Sequence, residues 1–152
     1  MLMTIPQTLT KTWVMLCACC VLVLSMAATA GAQGKIDVAT AETMARNGDV
    51  LLLDIRTPGE WKNTGVSPLA TPLNMRSSSF GTELMSLIDN RRDVPIALIC
   101  AGGVRSAYLK NVMENAGFTS VYDVTEGMLG SDAGPGWIAA GLPVEAYDAS
   151  TD

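Results

Sequence analysis

Two four-residue runs, Val50-Leu51-Leu52-Leu53 and Ile96-Ala97-Leu98-Ile99, carry no polar side chain. A strand with one wet face alternates apolar and polar residues, so an unbroken apolar run of this length reads as a strand buried on both faces, with helices above and below it. The rest of the chain supplies those helices. Ala39 to Arg46 reads as a short helix stopped by Asn47-Gly48, Gly59 to Lys62 as a turn of helix behind Pro58, and Leu84, Leu87 and Ile88 as one apolar helical face. A longer helix is expected from about Ser106 to Ala116, closed by Gly117, and a short one from Trp137 to Ala140 after the glycine-rich stretch Gly127 to Gly136. Thr71 to Met75 and Ser120 to Val124 read as further extended segments. Strands alternating with helices predict an α/β fold on a parallel sheet, and 152 residues leave room for one such domain.

The first 32 residues obey a different pattern. No charged residue occurs from Thr12 to Gln33, and Trp13 to Ala30 is mostly apolar, with Lys11 just ahead of it. The run ends in two small-x-small sites, Ala28-Thr29-Ala30 and Ala30-Gly31-Ala32. Residues 1–32 therefore read as a secretory signal peptide, cleaved after Ala30 or Ala32, and the protein as periplasmic with no stable membrane association after cleavage. The alternative is an uncleaved N-terminal anchor facing the periplasm, because about 18 apolar residues nearly span a bilayer. Cleavage removes Cys17, Cys19 and Cys20 and leaves Cys100 as the only thiol, so no disulfide can form within the mature chain. Residues 36–147 form the expected domain, and 148–152 a frayed tail.

Charge and composition then narrow the chemistry. All fifteen Asp and Glu lie beyond Gly34 and the net charge is -5, which argues against nucleic acid as a partner. There is no histidine, which excludes Ser-His-Asp and Cys-His catalysis and any His-ligated metal site; no metal or organic cofactor is expected. What remains is the segment Cys100-Ala101-Gly102-Gly103-Val104-Arg105-Ser106, placed between a buried strand and a helix. Two glycines permit a tight turn. A turn of this kind, followed by a helix N-terminus, presents successive N–H groups to negative charge and favours thiolate over thiol. The amides of residues 101 to 105 are the expected cradle, Cys100 the nucleophile and Arg105 a permanent cation beside it.

At these residues the sequence resembles the rhodanese family. Cys100-Ala-Gly-Gly-Val-Arg-Ser106 is similar to that family's Cys-x-x-Gly-x-Arg-Ser active loop, and Leu53-Asp54-Ile55-Arg56-Thr57-Pro58-Gly59-Glu60-Trp61 to its Asp-x-Arg-x-x-x-Glu-aromatic stretch. Ala116-Gly117-Phe118, Val121-Tyr122-Asp123-Val124, Glu126-Gly127-Met128, Gly136-Trp137 and Gly141-Leu142-Pro143-Val144 continue the likeness to about Tyr147. The resemblance implies a doubly wound parallel sheet of about five strands with helices on both faces. It also implies a sulfurtransferase in which Cys100 takes a sulfane sulfur from thiosulfate or another small donor, holds it as a persulfide and passes it to cyanide, a thiol or a periplasmic acceptor protein. Position 101 is Ala where many relatives carry a basic residue, which leaves a less cationic mouth.

Two rival readings have their own signatures. Cysteine phosphatases and arsenate reductases resemble Cys-x5-Arg, whereas Cys100 and Arg105 are separated by four residues, a ring better matched to one sulfur atom than to a tetrahedral oxyanion. A rhodanese-like binding or sulfur-relay module with little turnover of its own is the other. Asp54 and Arg56 shape the mouth of the site or form a structural pair, with Glu60 extending their charge network, and Trp61 and Trp137 are read as packing residues. Ser106 is expected to cap its helix, with donation to the persulfide as the alternative.

Overall fold

In the computed structural model, the residues described are 34–148. The expected signal segment, residues 1–32, lies outside them, as does the tail from 149. Five strands, β1 (Lys35–Ile36), β2 (Leu51–Asp54), β3 (Ala70–Pro72), β4 (Ile96–Ile99) and β5 (Val121–Val124), form one sheet in the order β1-β5-β4-β2-β3. Every pairing is parallel. The helices are α1 (Val38–Asn47), α2 (Pro58–Thr64), α3 (Phe80–Leu87), α4 (Val104–Asn115) and α5 (Gly136–Ala139).

The two apolar runs sit where their composition requires, next to each other at the centre, with Leu51 level with Ile96 and Leu53 level with Leu98. Side chains of alternate residues leave opposite faces. On one face Leu53, Ile55, Ile96, Leu98 and Cys100 pack with Leu84 and Ile88 and with Leu109 and Met113 of α4. On the other, Leu52, Ala97, Ile99 and Val124 pack with Val38 and Ala41 of α1 and Trp137 of α5. The sheet is thus doubly wound, as expected.

Chain direction across the sheet reverses between its two central strands. After β2 the chain moves to the β3 edge, and after β4 it moves the other way to β5. In open α/β sheets the crevice beyond the strand C-termini at such a reversal is where ligands bind. Here it lies between the end of β2, at Asp54, and the end of β4, at Ile99, so that Cys100 opens directly onto it.

Several boundaries differ from the sequence expectation. Strand β1 was not legible, being two residues long, paired to β5 and packed on the core through Ile36 only. The extended segment expected at Thr71 to Met75 is a strand at Ala70–Pro72, set by its register against Leu52 to Asp54. In α3, Leu84 points into the core with Ile88 just beyond the helix, while Leu87 is 44% exposed: residues four apart share the buried line and Leu87 lies on its flank. Among the described residues no helix is long and apolar enough to cross a membrane.

Candidate functional site

Cys100 is the residue after β4 and is 1% exposed. Its carbonyl accepts from Met128 N, and that of Ala101 from Leu129 N, each at 2.8 Å, so the loop that begins at Cys100 is tied to the segment beyond β5. The two backbones touch. A Cβ on Gly103 (φ +82°) would stand 2.1 Å from the Thr125 carbonyl oxygen, and one on Gly127 (φ +67°) 2.5 Å from that of Ala101. Both positions need glycine twice over, for the left-handed backbone and for the close approach.

Gly103 is also the N-cap of α4, so the helix starts at Val104 rather than Ser106. This corrects the expected capping role of Ser106. A left-handed glycine turns the chain into the helix without any side-chain cap, and Ser106 falls inside the first turn, where its hydroxyl donates to the Gly103 carbonyl at 2.9 Å. The same hydroxyl lies 3.5 Å from Cys100 Sγ, and both residues are buried. Among the described residues, no acceptor in the chain takes a backbone N–H from 101 through 106. These are the donors of a tight turn and a first helical turn, which ordinarily find no intrahelical partner and carry the positive end of the helix dipole. Ala101 and Gly102 are partly exposed, and Val104 is the most exposed large apolar residue described, at 81%.

Arg105 does not stand free beside the thiol. Its guanidinium forms a forked pair with Glu60 of α2, Nη1 donating to Oε2 at 3.0 Å and Nη2 to Oε1. Glu60 is itself held by the first turn of α2, where Oε2 accepts from both the N–H and the hydroxyl of Thr57 in a capping box. The guanidinium pulls the Glu60 carboxyl down to about 2, against its partial burial. Reciprocally, the Arg105 pKa is raised, by Glu60 first and by the neighbouring Cys100 to a smaller degree. Glu60 therefore extends the charge network of the loop after β4 through Arg105, and not that of Asp54 and Arg56 as the sequence suggests. The sequence signal at Glu60 is a capping box, Thr57-Pro-Gly-Glu60, and a capping box says nothing about a partner elsewhere in the chain.

Asp54 and Arg56 are 0% exposed. Arg56 gives Nε to both Asp54 carboxylate oxygens, at 2.9 and 3.0 Å, and Nη2 to Oδ2 at 2.6 Å. Its remaining donors reach Thr64 Oγ1 at 2.6 Å and the Gly65 carbonyl at 2.7 Å. The pair fastens the end of α2 to the end of β2; it is a buried structural pair and contributes nothing to the mouth. Trp137 is 0% exposed with Nε1 donating to the Pro143 carbonyl at 3.0 Å, and Trp61 is 3% exposed, with the Tyr147 ring tilted against it at 55° and 5.1 Å between ring centroids.

One further polar group close to this site was not singled out from the sequence. Asp123 lies mid-strand in β5 and is 2% exposed, and its Oδ1 meets no hydrogen-bond partner. A carboxylate within the apolar run Val121–Val124 was its only sequence signal.

With this geometry in place, comparisons with known proteins are specific. Residues 37–131 match the model of the rhodanese-like domain. The uncharacterized protein RP600 of Rickettsia prowazekii is 29% identical over 103 residues, 64% of this chain and 84% of that protein. The crystal structure of Rv0390 from M. tuberculosis superposes with a TM-score of 0.56 at 27% identity, covering 75% of this chain and 98% of that one. The solution structure of a polysulfide-sulfur transferase homodimer from Wolinella succinogenes has the same fold, with a TM-score of 0.52 at 19% identity over 79% of this chain and 83% of that one.

Proposed function

The chain belongs to the rhodanese-like domain family, and from that premise we propose that it is a sulfurtransferase of the periplasm, with Cys100 as nucleophile and persulfide carrier. The observation that carries this reading is the position of Cys100 at the strand-order reversal, followed directly by a run of backbone N–H groups that the chain leaves unpaired. The Cys100 thiolate attacks the outer sulfur of a sulfane donor. A bond forms between Sγ and that sulfur, the donor's S–S bond breaks, and the leaving group departs with the electron pair. An acceptor nucleophile, cyanide or a thiolate, then attacks the terminal sulfur and restores the Cys100 thiolate. The amides of 101 to 105 and the Arg105 guanidinium stabilise the negative charge on sulfur in both steps. The Ser106 hydroxyl is within reach of Cys100 Sγ to donate to the thiolate or persulfide. One fold relative, a polysulfide-sulfur transferase, is in keeping with a sulfane donor.

Intact mass after incubation with thiosulfate or polysulfide should show one added sulfur, removable by cyanide, and Cys100→Ser should show none while keeping its fold. A Cys100→Ser protein that still converts donor and cyanide overturns the assignment. Export is tested by N-terminal sequencing of the secreted form, which should begin near Gln33; a chain retaining Met1 in the membrane supports the anchored alternative.

A second reading, a relay module serving a protein acceptor, is favoured by one observation: Val104, Tyr108 and Leu129, on the active helix and the loop beside it, are 81%, 64% and 58% exposed. Steady-state turnover with small donors and acceptors separates the two, since a relay accumulates persulfide but turns over slowly until its partner is supplied.

A further inference from the structure

Asp123 is the buried carboxyl that the sulfur chemistry leaves unused. Its residue pairs with Leu98 across β4 and β5, and Cys100 is two residues beyond Leu98, so Asp123 and Cys100 project from the same face of the sheet onto α4. Diagonal neighbours of this kind are about 7–8 Å apart at Cα, too far for direct contact and close enough for one hydroxyl to stand between them. Ser106 of α4 supplies it: its hydroxyl lies 3.5 Å from Cys100 Sγ and beside the Asp123 carboxyl, whose Oδ1 has no partner, while its own proton is given to the Gly103 carbonyl at 2.9 Å. All three are buried: Cys100 1%, Ser106 0% and Asp123 2% exposed.

We propose, on the reading that Cys100 carries the sulfur, that Cys100 and Asp123 share one proton through the Ser106 hydroxyl, so that Asp123 takes the thiol proton when Cys100 becomes thiolate. The Ser106 hydroxyl turns from the Gly103 carbonyl to an Asp123 carboxylate oxygen and gives its proton there, while the Cys100 S–H proton passes to Ser106 Oγ. The products are a thiolate, an intact serine hydroxyl and a carboxylic acid, with no change in the total charge of the site. The physical reason is the cost of two negative charges in one dry pocket: like charges at close range cannot both ionise easily, and the pair titrates as a unit. The chain has no histidine, so no imidazole can take this proton. Burial pushes the Asp123 pKa up, while the Ser106 hydroxyl and the ammonium groups of Lys35, from β1, and Lys110, from α4, pull it back. On the other side the Arg105 guanidinium faces Cys100. Asp123 acts through Ser106 and is a positioning residue: it sets the range of pH over which the sulfur-free enzyme holds its thiolate.

The test is the pH dependence of iodoacetamide modification at Cys100 in the full-length protein, read by mass on the peptide that contains it so that other cysteines do not contribute. Wild type should show two ionisations separated by a flat interval, the interval in which the shared proton merely changes place. Asp123→Asn should show a single ionisation at lower pH, reacting about tenfold faster than wild type at the top of that interval, which corresponds to about one unit of displacement. Ser106→Ala keeps both charges and removes the connecting hydroxyl, and should narrow the interval; it also serves as the test should Asp123→Asn fail to fold. A single ionisation in wild type that superposes on Asp123→Asn overturns the proposal, as does an upward displacement in Asp123→Asn or an interval unchanged in Ser106→Ala. Alkylation reports the thiol whether or not sulfur is transferred, so failure here is distinct from failure of the sulfurtransferase reading, which shows as absence of the persulfide mass.

Discussion

Glu60 and Arg105, 45 positions apart and on different helices, are locked together by two hydrogen bonds, with Oε2 accepting from Nη1 at 3.0 Å and Oε1 from Nη2. The pair joins the first turn of the helix that follows β4 to the helix that follows β2, across the strand-order reversal. A forked carboxylate–guanidinium pair fixes the orientation of the guanidinium as well as its position. Arg105 is thereby presented to Cys100 in one arrangement instead of sampling solvent.

Arg105→Ala should slow persulfide formation from an anionic donor by about a hundredfold or more, the usual effect of removing one stabiliser of developing negative charge, and should slow a neutral polysulfide less. Arg105→Lys should recover only part, because a lysine is a point charge without the planar fork. Glu60→Gln should give a smaller loss, and Glu60→Gln added to Arg105→Ala should cost nothing more, since Glu60 acts through Arg105. Single-turnover rates measured by mass decide this; additive losses would show that Glu60 has a separate role.

Acid stability should carry the mark of the same pair. The Glu60 carboxyl is lowered from 4.5 to about 2 in the folded protein, so in this interval the unfolded chain binds the proton that the folded chain refuses. The contribution is therefore fully present above pH 4.5 and is lost as pH falls toward 2. With side-chain exposure of 32% for Glu60, solvent screens the pair and the effect is modest. Urea midpoints measured from pH 5 downward should fall less steeply for Glu60→Gln than for wild type; equal slopes would contradict the pairing.

Arg56→Ala should destabilise the domain by about 3–5 kcal/mol, because it strands a fully buried Asp54 carboxylate and frees the end of α2. Replacing both members by well-packed apolar residues should recover most of that loss, which is the signature of a structural pair. Denaturant unfolding of the single and double variants makes the measurement, and a single-variant loss below about 1 kcal/mol would indicate that the pair is hydrated.

Gly103→Ala should cost about 1–3 kcal/mol, the range for forcing an extra methyl group into a packed site, since the new Cβ lands on the Thr125 carbonyl oxygen in a left-handed backbone. Cys100 modification kinetics should change with it, because Gly103 is the N-cap that aims the first turn of α4. Gly48→Ala is the control: its φ is +77° but nothing lies within 4 Å of the added Cβ, so it should show the backbone penalty alone.

What was legible in the sequence was whatever rests on local pattern. Two apolar runs announced the central strands, and Ile96–Ile99 was placed to the residue. The cysteine, the glycines after it and Arg105 were visible as a turn between strand and helix, because turn chemistry is written in consecutive residues. Strand β1 was illegible because two residues carry no period, and the start of α4 was misplaced because a left-handed glycine cap leaves no side-chain signature.

Only the tertiary structure decided which charges meet. Asp54 and Arg56 are neighbours in sequence and remained a pair, but Glu60, four residues further on, left them for Arg105 when α2 turned its first helical face toward the loop after β4. Asp123 was an ordinary strand residue until the parallel register set it on the same face as Cys100, with Ser106 between. Sequence determines local geometry because propensity and turn chemistry act over a few residues. The partner of a charge is chosen by strand order and register, and those are settled by how the whole core packs.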